Sequence, residues 1–255
     1  MIVFLDCEPE THKIWRRASQ MFAQGVPGVK HVCTAEEFVN ERPFPGKIEG
    51  VVHFHYHGAA KEAIEICRRM NWPHYWIEGA YVARDRYSRI TKNRNQAKWR
   101  PGAGSALRFP AVFENVPVRP WRPGGRKKIL FCVAAQDMAD FDPNVRNWES
   151  DARDYLLSVR RMGDVVFRDR DSKTPFTQDL QDAGCLISYN SNAAVEALLQ
   201  GVPVIVSQES VCYEFSRWNL LNLWRGDRQP LWNLIAGNQF TLEEMANGTA
   251  WEMVK

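Results

Sequence analysis

The chain has 255 residues, with 33 lysines and arginines against 30 acids and a formal net charge of +3, and 45% of it is hydrophobic. That apolar fraction can fill one large domain or two compact lobes and argues against general disorder, while so small a net charge excludes no class of partner. No run approaches the roughly 18–20 uninterrupted apolar residues of a membrane-spanning helix, and MIVFLDCEPE at the start lacks a basic segment followed by a long apolar one, so a cytoplasmic location is expected.

The chain opens on Ile2-Val3-Phe4-Leu5, an apolar run that stops at Asp6 as a buried parallel strand does before its loop. Residues 11–23 have helical composition, 29–33 read as a second strand, and Thr34 followed by Glu36 and Glu37 reads as a helix start. Gly50 to Gly58 alternates apolar residues with His53, His55 and His57 and predicts a strand running into a ligand-side loop. A helix over 59–70 and a short strand over 74–79 complete a β-α-β-α-β series.

Between Arg84 and Arg108 the basic residues Arg84, Arg86, Arg89, Lys92, Arg94, Lys98, Arg100 and Arg108 face one acid, Asp85, with Tyr87 and Trp99 among them. Such a stretch suits a polyanion, held by phosphate contacts and base stacking on Trp99, or else a solvated charged surface. From Trp99 to Arg126 prolines and glycines break any long element, which reads as a connection between lobes. Strand and helix then alternate again: strands over 129–133, 164–167, 185–188 and 202–206, helices over 148–162, 176–183 and 193–200. This order implies an α/β fold with parallel sheets. The six cysteines, at 7, 33, 67, 132, 185 and 212, have no paired metal-ligand spacing and read as reduced and buried.

The run Cys185 to Val206 carries the most chemistry. A buried strand gives way to Tyr189-Asn190-Ser191-Asn192, any of whose last three can cap the helix that follows. The first-turn N–H groups and the helix dipole favour an anion such as a diphosphate. Ala193 and Ala194 keep side chains out of the way, Glu196 is close enough to the helix start to accept hydrogen bonds from a ribose, and Gly201 ends the helix.

The string Ser188 to Val206, with its Glu-Ala-x-x-x-Gly-x-Pro-Val pattern, resembles the nucleotide-sugar-binding half of GT-B-type glycosyltransferases. Together with the Gln136 loop and the tail from Trp232 to Trp251, it is similar to phage-encoded glycosyltransferases that modify DNA. The likeness covers roughly the second half of the chain. It implies two Rossmann-like lobes with a cleft between them, a basic connection closing the acceptor lobe at 1–123, and a donor lobe at 124–255 whose final helix, 241–254, returns to the first. It also implies a nucleotide-sugar co-substrate, with UDP as the expected nucleotide, and neither a cofactor nor a metal. The donor would be held by Gln136, Asn190, Ser191, Asn192, Ala193 and Glu196. Where related proteins carry an Arg-Pro-His type sequence, this chain has Arg168-Asp169-Arg170-Asp171-Ser172-Lys173, and Arg168, Arg170 and Lys173 are the cations left to neutralise a departing diphosphate.

An inverting transfer also needs a base for the acceptor hydroxyl. His57, Asp85 and Glu78 are the alternatives, with Asp6 a further one. The expected acceptor is a hydroxymethylated pyrimidine in phage DNA, bound through the 84–99 stretch; a saccharide acceptor or a non-catalytic nucleotide- or DNA-binding module are the alternatives.

Overall fold

The computed structural model describes residues 1–6, 13–40, 44, 46–54, 59–98, 105–124 and 128–255. The chain divides into two compact units: unit 1 comprises Met1–Ala97, Ala103–Asn115 and Asn233–Lys255, and unit 2 comprises Lys98–Gly102 and Val116–Trp232.

Unit 1 runs β1 (Ile2–Asp6), α1 (Lys13–Gly25), β2 (Lys30–Thr34), α2 (Ala35–Asn40), β3 (Gly50–His53), α3 (Ala59–Arg69), β4 (His74–Gly79), β5 (Ser88–Lys92) and the single turn α4 (Phe109–Val112). Strands β2, β1, β3 and β4 are parallel neighbours in that order. Successive residues of β1 enter opposite cores, as the period of two requires. Ile2 and Phe4 pack with Ala18 and Phe22 of α1, whereas Val3 and Leu5 pack with Phe38 of α2 and Ala63, Ile66 and Cys67 of α3. Both faces of β1 are covered, which is why it reads as a continuous apolar run.

Unit 2 runs β6 (Lys128–Cys132), α5 (Gln136–Phe141), α6 (Asn144–Ser158), β7 (Val165–Arg168), α7 (Phe176–Gln181), β8 (Ala183–Ser188), α8 (Ala193–Leu199) and β9 (Val204–Val206), and α9 (Gln229–Gly237) begins in unit 2 and ends in unit 1. All four strands are parallel, in the order β7-β6-β8-β9. Ile129, Phe131, Cys185, Ile187 and Ile205 bury one sheet face against Ala152 and Leu156 of α6. The chain then returns to unit 1 with β10 (Gln239–Phe240), α10 (Leu242–Ala246) and α11 (Thr249–Val254). β10 pairs antiparallel with β5, and β5 antiparallel with β4, so unit 1 has six strands in the order β10-β5-β4-β3-β1-β2.

Two devices fasten this returning segment. Arg108 grips it with a bidentate pair to Glu244, at 2.5 and 3.0 Å, and with bonds to the carbonyls of Ala236 (3.0 Å) and Gln239 (2.7 Å). The fully buried Gln239 side chain accepts from the backbone N–H groups of Tyr81 (2.6 Å) and Val82 (3.0 Å) and donates to the Val82 carbonyl (3.2 Å). The single final helix expected over 241–254 is in fact two: Thr241 starts α10 with a capping box to Glu244, and Gly248, at φ +87°, breaks the chain before α11.

Helix ends depart from expectation for local reasons. α6 begins at Asn144 and stops at Ser158 rather than spanning 148–162. Arg160 there adopts φ +54°, and the Arg160 and Arg161 N–H groups bond the Leu157 and Leu156 carbonyls in a Schellman arrangement. Gly201 ends α8 in the same way at φ +72°, and a Cβ added there would lie 2.0 Å from the Pro120 carbonyl oxygen. β5, α5 and β10 have no counterpart in the sequence reading.

Candidate functional site

In unit 2 the chain passes from β6 outward to β7, then crosses back to place β8 on the other side of β6. The carboxyl ends of β6 and β8 therefore flank a topological switch point, where open parallel sheets hold their ligands. The loop after β6 is 133–135, leading into α5, and the loop after β8 is 189–192, leading into α8.

Ser191, rather than Asn190 or Asn192, caps α8. Its Oγ accepts from the Ala193 N–H at 3.1 Å and its carbonyl from Ala194 at 3.1 Å, while Asn192 makes no side-chain cap bond. At the end of β8 the Ser188 hydroxyl is fully buried and has no hydrogen-bond partner among the described residues. Leaving such a group unpaired costs about 1–3 kcal/mol, which a bound water or ligand at this edge would offset. Glu196 is half-buried one turn into α8. Gly201 and the β9 strand follow it as expected.

The other wall is α5, a six-residue helix with no buried residue, perched after β6. Polar contacts hold it. The Gln136 amide donates to Asp140 (2.7 Å) and accepts from Arg146 (2.8 Å), and Arg146 in turn pairs with buried Glu149 (2.9 Å), whose carboxylate accepts from the Ala134 N–H (2.7 Å). The Tyr189 hydroxyl donates to Asp142 at 2.5 Å, joining the end of α5 to the β8 loop. Burial and that carboxylate hold the phenol well above the ordinary tyrosine range, so it remains a donor.

The cations after β7 divide into two kinds. Arg168 is mostly buried and ion-pairs with Asp179 while donating to the Thr174 carbonyl (2.8 Å), so it ties down its own loop. Arg170 is 71% exposed, 3.5 Å from Asp137 of α5, and Lys173 is exposed. Burial pushes the thiols of Cys132, Cys185 and Cys212 up to about 12, so none is a nucleophilic thiolate at neutral pH.

Unit 1 has its own switch point, between the carboxyl ends of β1 and β3. The loops there, 7–12 and 55–58, lie outside the described residues, and with them His55 and His57; Trp99 does also. Asp6 pairs with Arg16 at 2.8 Å. Glu78 sits at the carboxyl end of β4 and Asp85 is exposed in the β4–β5 loop.

The basic stretch is not one surface. Arg89 is 2% exposed, in β5, where its guanidinium pairs with Glu78 across the strands, donates to Asn95 (3.0 Å) and lies 4.6 Å from the Tyr81 ring centre. Arg84, Arg86, Lys92, Arg94 and Lys98 are exposed, with Arg86 3.5 Å from Glu114 and Lys98 3.8 Å from Glu209. Arg89 lies in the buried part of β5, whereas Lys92 is at its exposed end and Arg84, Arg86, Arg94 and Lys98 lie outside the strand. At the other end of β4, His53 and His74 are buried and stacked at 5.7 Å, with Trp76 edge-on to His53 at 4.3 Å. The His74 ring nitrogens have no hydrogen-bond partner, and burial, then Arg68, lowers its pKa to about 4, so it is neutral.

Sequence reasoning missed Ser188, Tyr189 with Asp142, and the Arg146–Glu149 brace. Only the polar residue at the end of an apolar strand signalled the first. Among the described residues no helix is long and apolar enough to cross a membrane, and no group of three or more His, Cys, Asp or Glu side chains is placed to hold a metal ion.

No protein-family profile and no curated protein matches the sequence. Among the solved structures that resemble the fold are two sugar transferases. Thermosulfurimonas dismutans KpsC, beta Kdo 2,4 transferase, superposes with a TM-score of 0.51 at 13% identity over 92% of this chain and 89% of that one. The beta Kdo 2,7 transferase of the same protein gives 0.51 at 13% over 98% of this chain and 99% of that one. The chain thus has the α/β, GT-B-like fold that these transferases share.

Proposed function

We propose that this protein is a glycosyltransferase that moves a sugar from a nucleotide-sugar donor, held at the carboxyl edge of the unit 2 sheet, to a saccharide acceptor. The observation that carries the reading is the β6/β8 switch point. There Ser188 is buried without a partner, Ser191 caps α8, and Glu196 sits one turn further on, in a fold shared with two sugar transferases.

The chemistry follows from that placement. The acceptor oxygen bonds to the anomeric carbon as the bond from that carbon to the nucleotide phosphate breaks, and the phosphate leaves with the electron pair. Its charge needs donors already in place. The exposed Arg170 and Lys173 would supply them, while Arg168 keeps the loop in position. Glu196 would accept from the ribose hydroxyls. Glu78, Asp85 and His57 are our candidates for the base that takes the acceptor proton. UDP is our expected nucleotide, and the transfer is expected to need no metal.

A hydroxymethylated pyrimidine in DNA is the second reading of the acceptor, favoured by the exposed Arg84, Arg86, Lys92 and Arg94. One experiment separates them. The protein is incubated with a panel of nucleotide sugars and either oligosaccharides or hydroxymethylated DNA, and the products are weighed by mass spectrometry. A sugar-sized gain on an oligosaccharide is the expected result, and a gain on nucleosides alone moves the acceptor to DNA. Nucleotide binding with no transfer to either rejects the enzymatic reading.

A further inference from the structure

Beside the switch point, the loop after β9 carries a feature that the proposed reaction does not use. Ser207, the first residue past β9, donates its N–H to the Tyr189 carbonyl at 3.1 Å and so ties this loop to the one that follows β8. From there the chain folds through consecutive turns. The Ser207 hydroxyl accepts from Glu209 N–H (3.1 Å) and the Ser210 hydroxyl from Cys212 N–H (3.2 Å), and the Ser210 N–H reaches the Ser207 carbonyl (3.1 Å). Ser207, Ser210, Val211 and Cys212 are all buried, so the loop is fixed before any ligand arrives.

This rigid loop, with Lys98, encloses an open-mouthed pocket of about 130 Å³ lined by Lys98, Gln208, Ser210, Val211, Tyr213 and Glu214. Its size suits a single ring: a cavity of about 150 Å³ accommodates one benzene ring, so the walls of this pocket match one six-membered ring. Its chemistry is mixed. Val211 gives an apolar wall and the half-exposed Tyr213 ring a stacking face, while Lys98 donates, Glu214 accepts and the Gln208 amide does both. A planar heterocycle whose edge alternates carbonyl and N–H groups satisfies that set; a hydrocarbon ring or a bare anion does not.

We infer that this pocket receives the pyrimidine base of a nucleotide whose phosphate lies at the β6/β8 switch point. The inference rests on the donor site proposed above and adds to it a base-selecting element. Both uracil and cytosine present a ring carbonyl for Lys98 and an N–H for Glu214, so the shared chemistry is the pyrimidine edge.

Calorimetric titration of the full chain with UMP, CMP, AMP and ribose 5-phosphate tests it. Wild-type protein should bind UMP or CMP about tenfold or more tightly than AMP, the stronger of the two naming the base. Tyr213→Ala and, separately, Gln208→Ala should bring pyrimidine affinity down towards that of ribose 5-phosphate and leave ribose 5-phosphate itself unchanged. Both side chains are exposed, so folding should survive, which circular dichroism checks. Tighter binding of AMP, or a pyrimidine preference that persists in both variants, overturns the pocket assignment and leaves the donor site standing. No binding of any nucleotide overturns both.

Discussion

The two units repeat one strand order and spend their polar residues in opposite places. In each, a first strand is flanked by the second on one side and the third on the other, giving β2-β1-β3-β4 and β7-β6-β8-β9. Unit 2 keeps its sheet apolar and puts polar groups at the rim, from Ser188 through Asn192. Unit 1 adds two antiparallel strands, one from the far end of the chain, and buries His53 in β3, His74 in β4 and Arg89 in β5, with the part-buried Glu78 opposite Arg89. The same topology thus serves two ends: polar residues at a strand terminus are available to a ligand, whereas Arg89 and Glu78 within the sheet satisfy one another.

That contrast can be broken at graded cost. The largest effect is expected from Arg89→Met, which leaves Glu78 facing an apolar side chain and should cost about 3–5 kcal/mol in urea unfolding. Adding Glu78→Leu should recover most of it, because a matched apolar pair avoids the desolvation of both charges. If the double variant is no better than the single, the pair does more than neutralise itself.

Next comes an acid effect. His74 titrates near 4 in the folded chain against 6.5 in the unfolded one, so the unfolded state binds the extra proton between those values. Its contribution is complete above about pH 6.5 and lost as pH falls towards 4, about 3 kcal/mol in all. Chemical denaturation of wild type and His74→Phe across pH 4–7 should show the variant flatter by that amount.

Smaller effects belong to unit 2. Ser191→Ala removes the α8 cap and should cost about 1 kcal/mol of stability. Glu196→Ala should leave the unfolding midpoint within experimental scatter yet weaken nucleotide binding about tenfold, the scale of a lost charged hydrogen bond. Unchanged affinity in that folded variant would remove the ribose role from Glu196.

How far the sequence foretold these differences depends on where each signal lay. β4 was legible to the residue, since His74 to Gly79 is bounded by Pro73 and Gly79 and rich in aromatics, and Gly201 announced the end of α8 because only its φ of +72° fits there. β5 was not, because Arg89 and Lys92 look like surface charge until Glu78 is placed opposite Arg89 across the sheet. α5 buries nothing and so leaves no periodicity to read, and β10 is two residues that matter only through a partner 150 positions away. The loop 189–192 between β8 and α8 was legible from the sequence, but which residue caps the helix depended on backbone angles: Asn192 is already helical, at φ −59°, and leaves the cap to Ser191.

The central claim is that the nucleotide sits at the unit 2 switch point, and hydrogen exchange read by mass spectrometry, with and without a UDP-sugar, tests it most directly. Slowed exchange is expected in peptides covering 133–142, 168–173, 189–197 and 207–214. Protection only in unit 1 peptides, or none at saturating nucleotide, would contradict it.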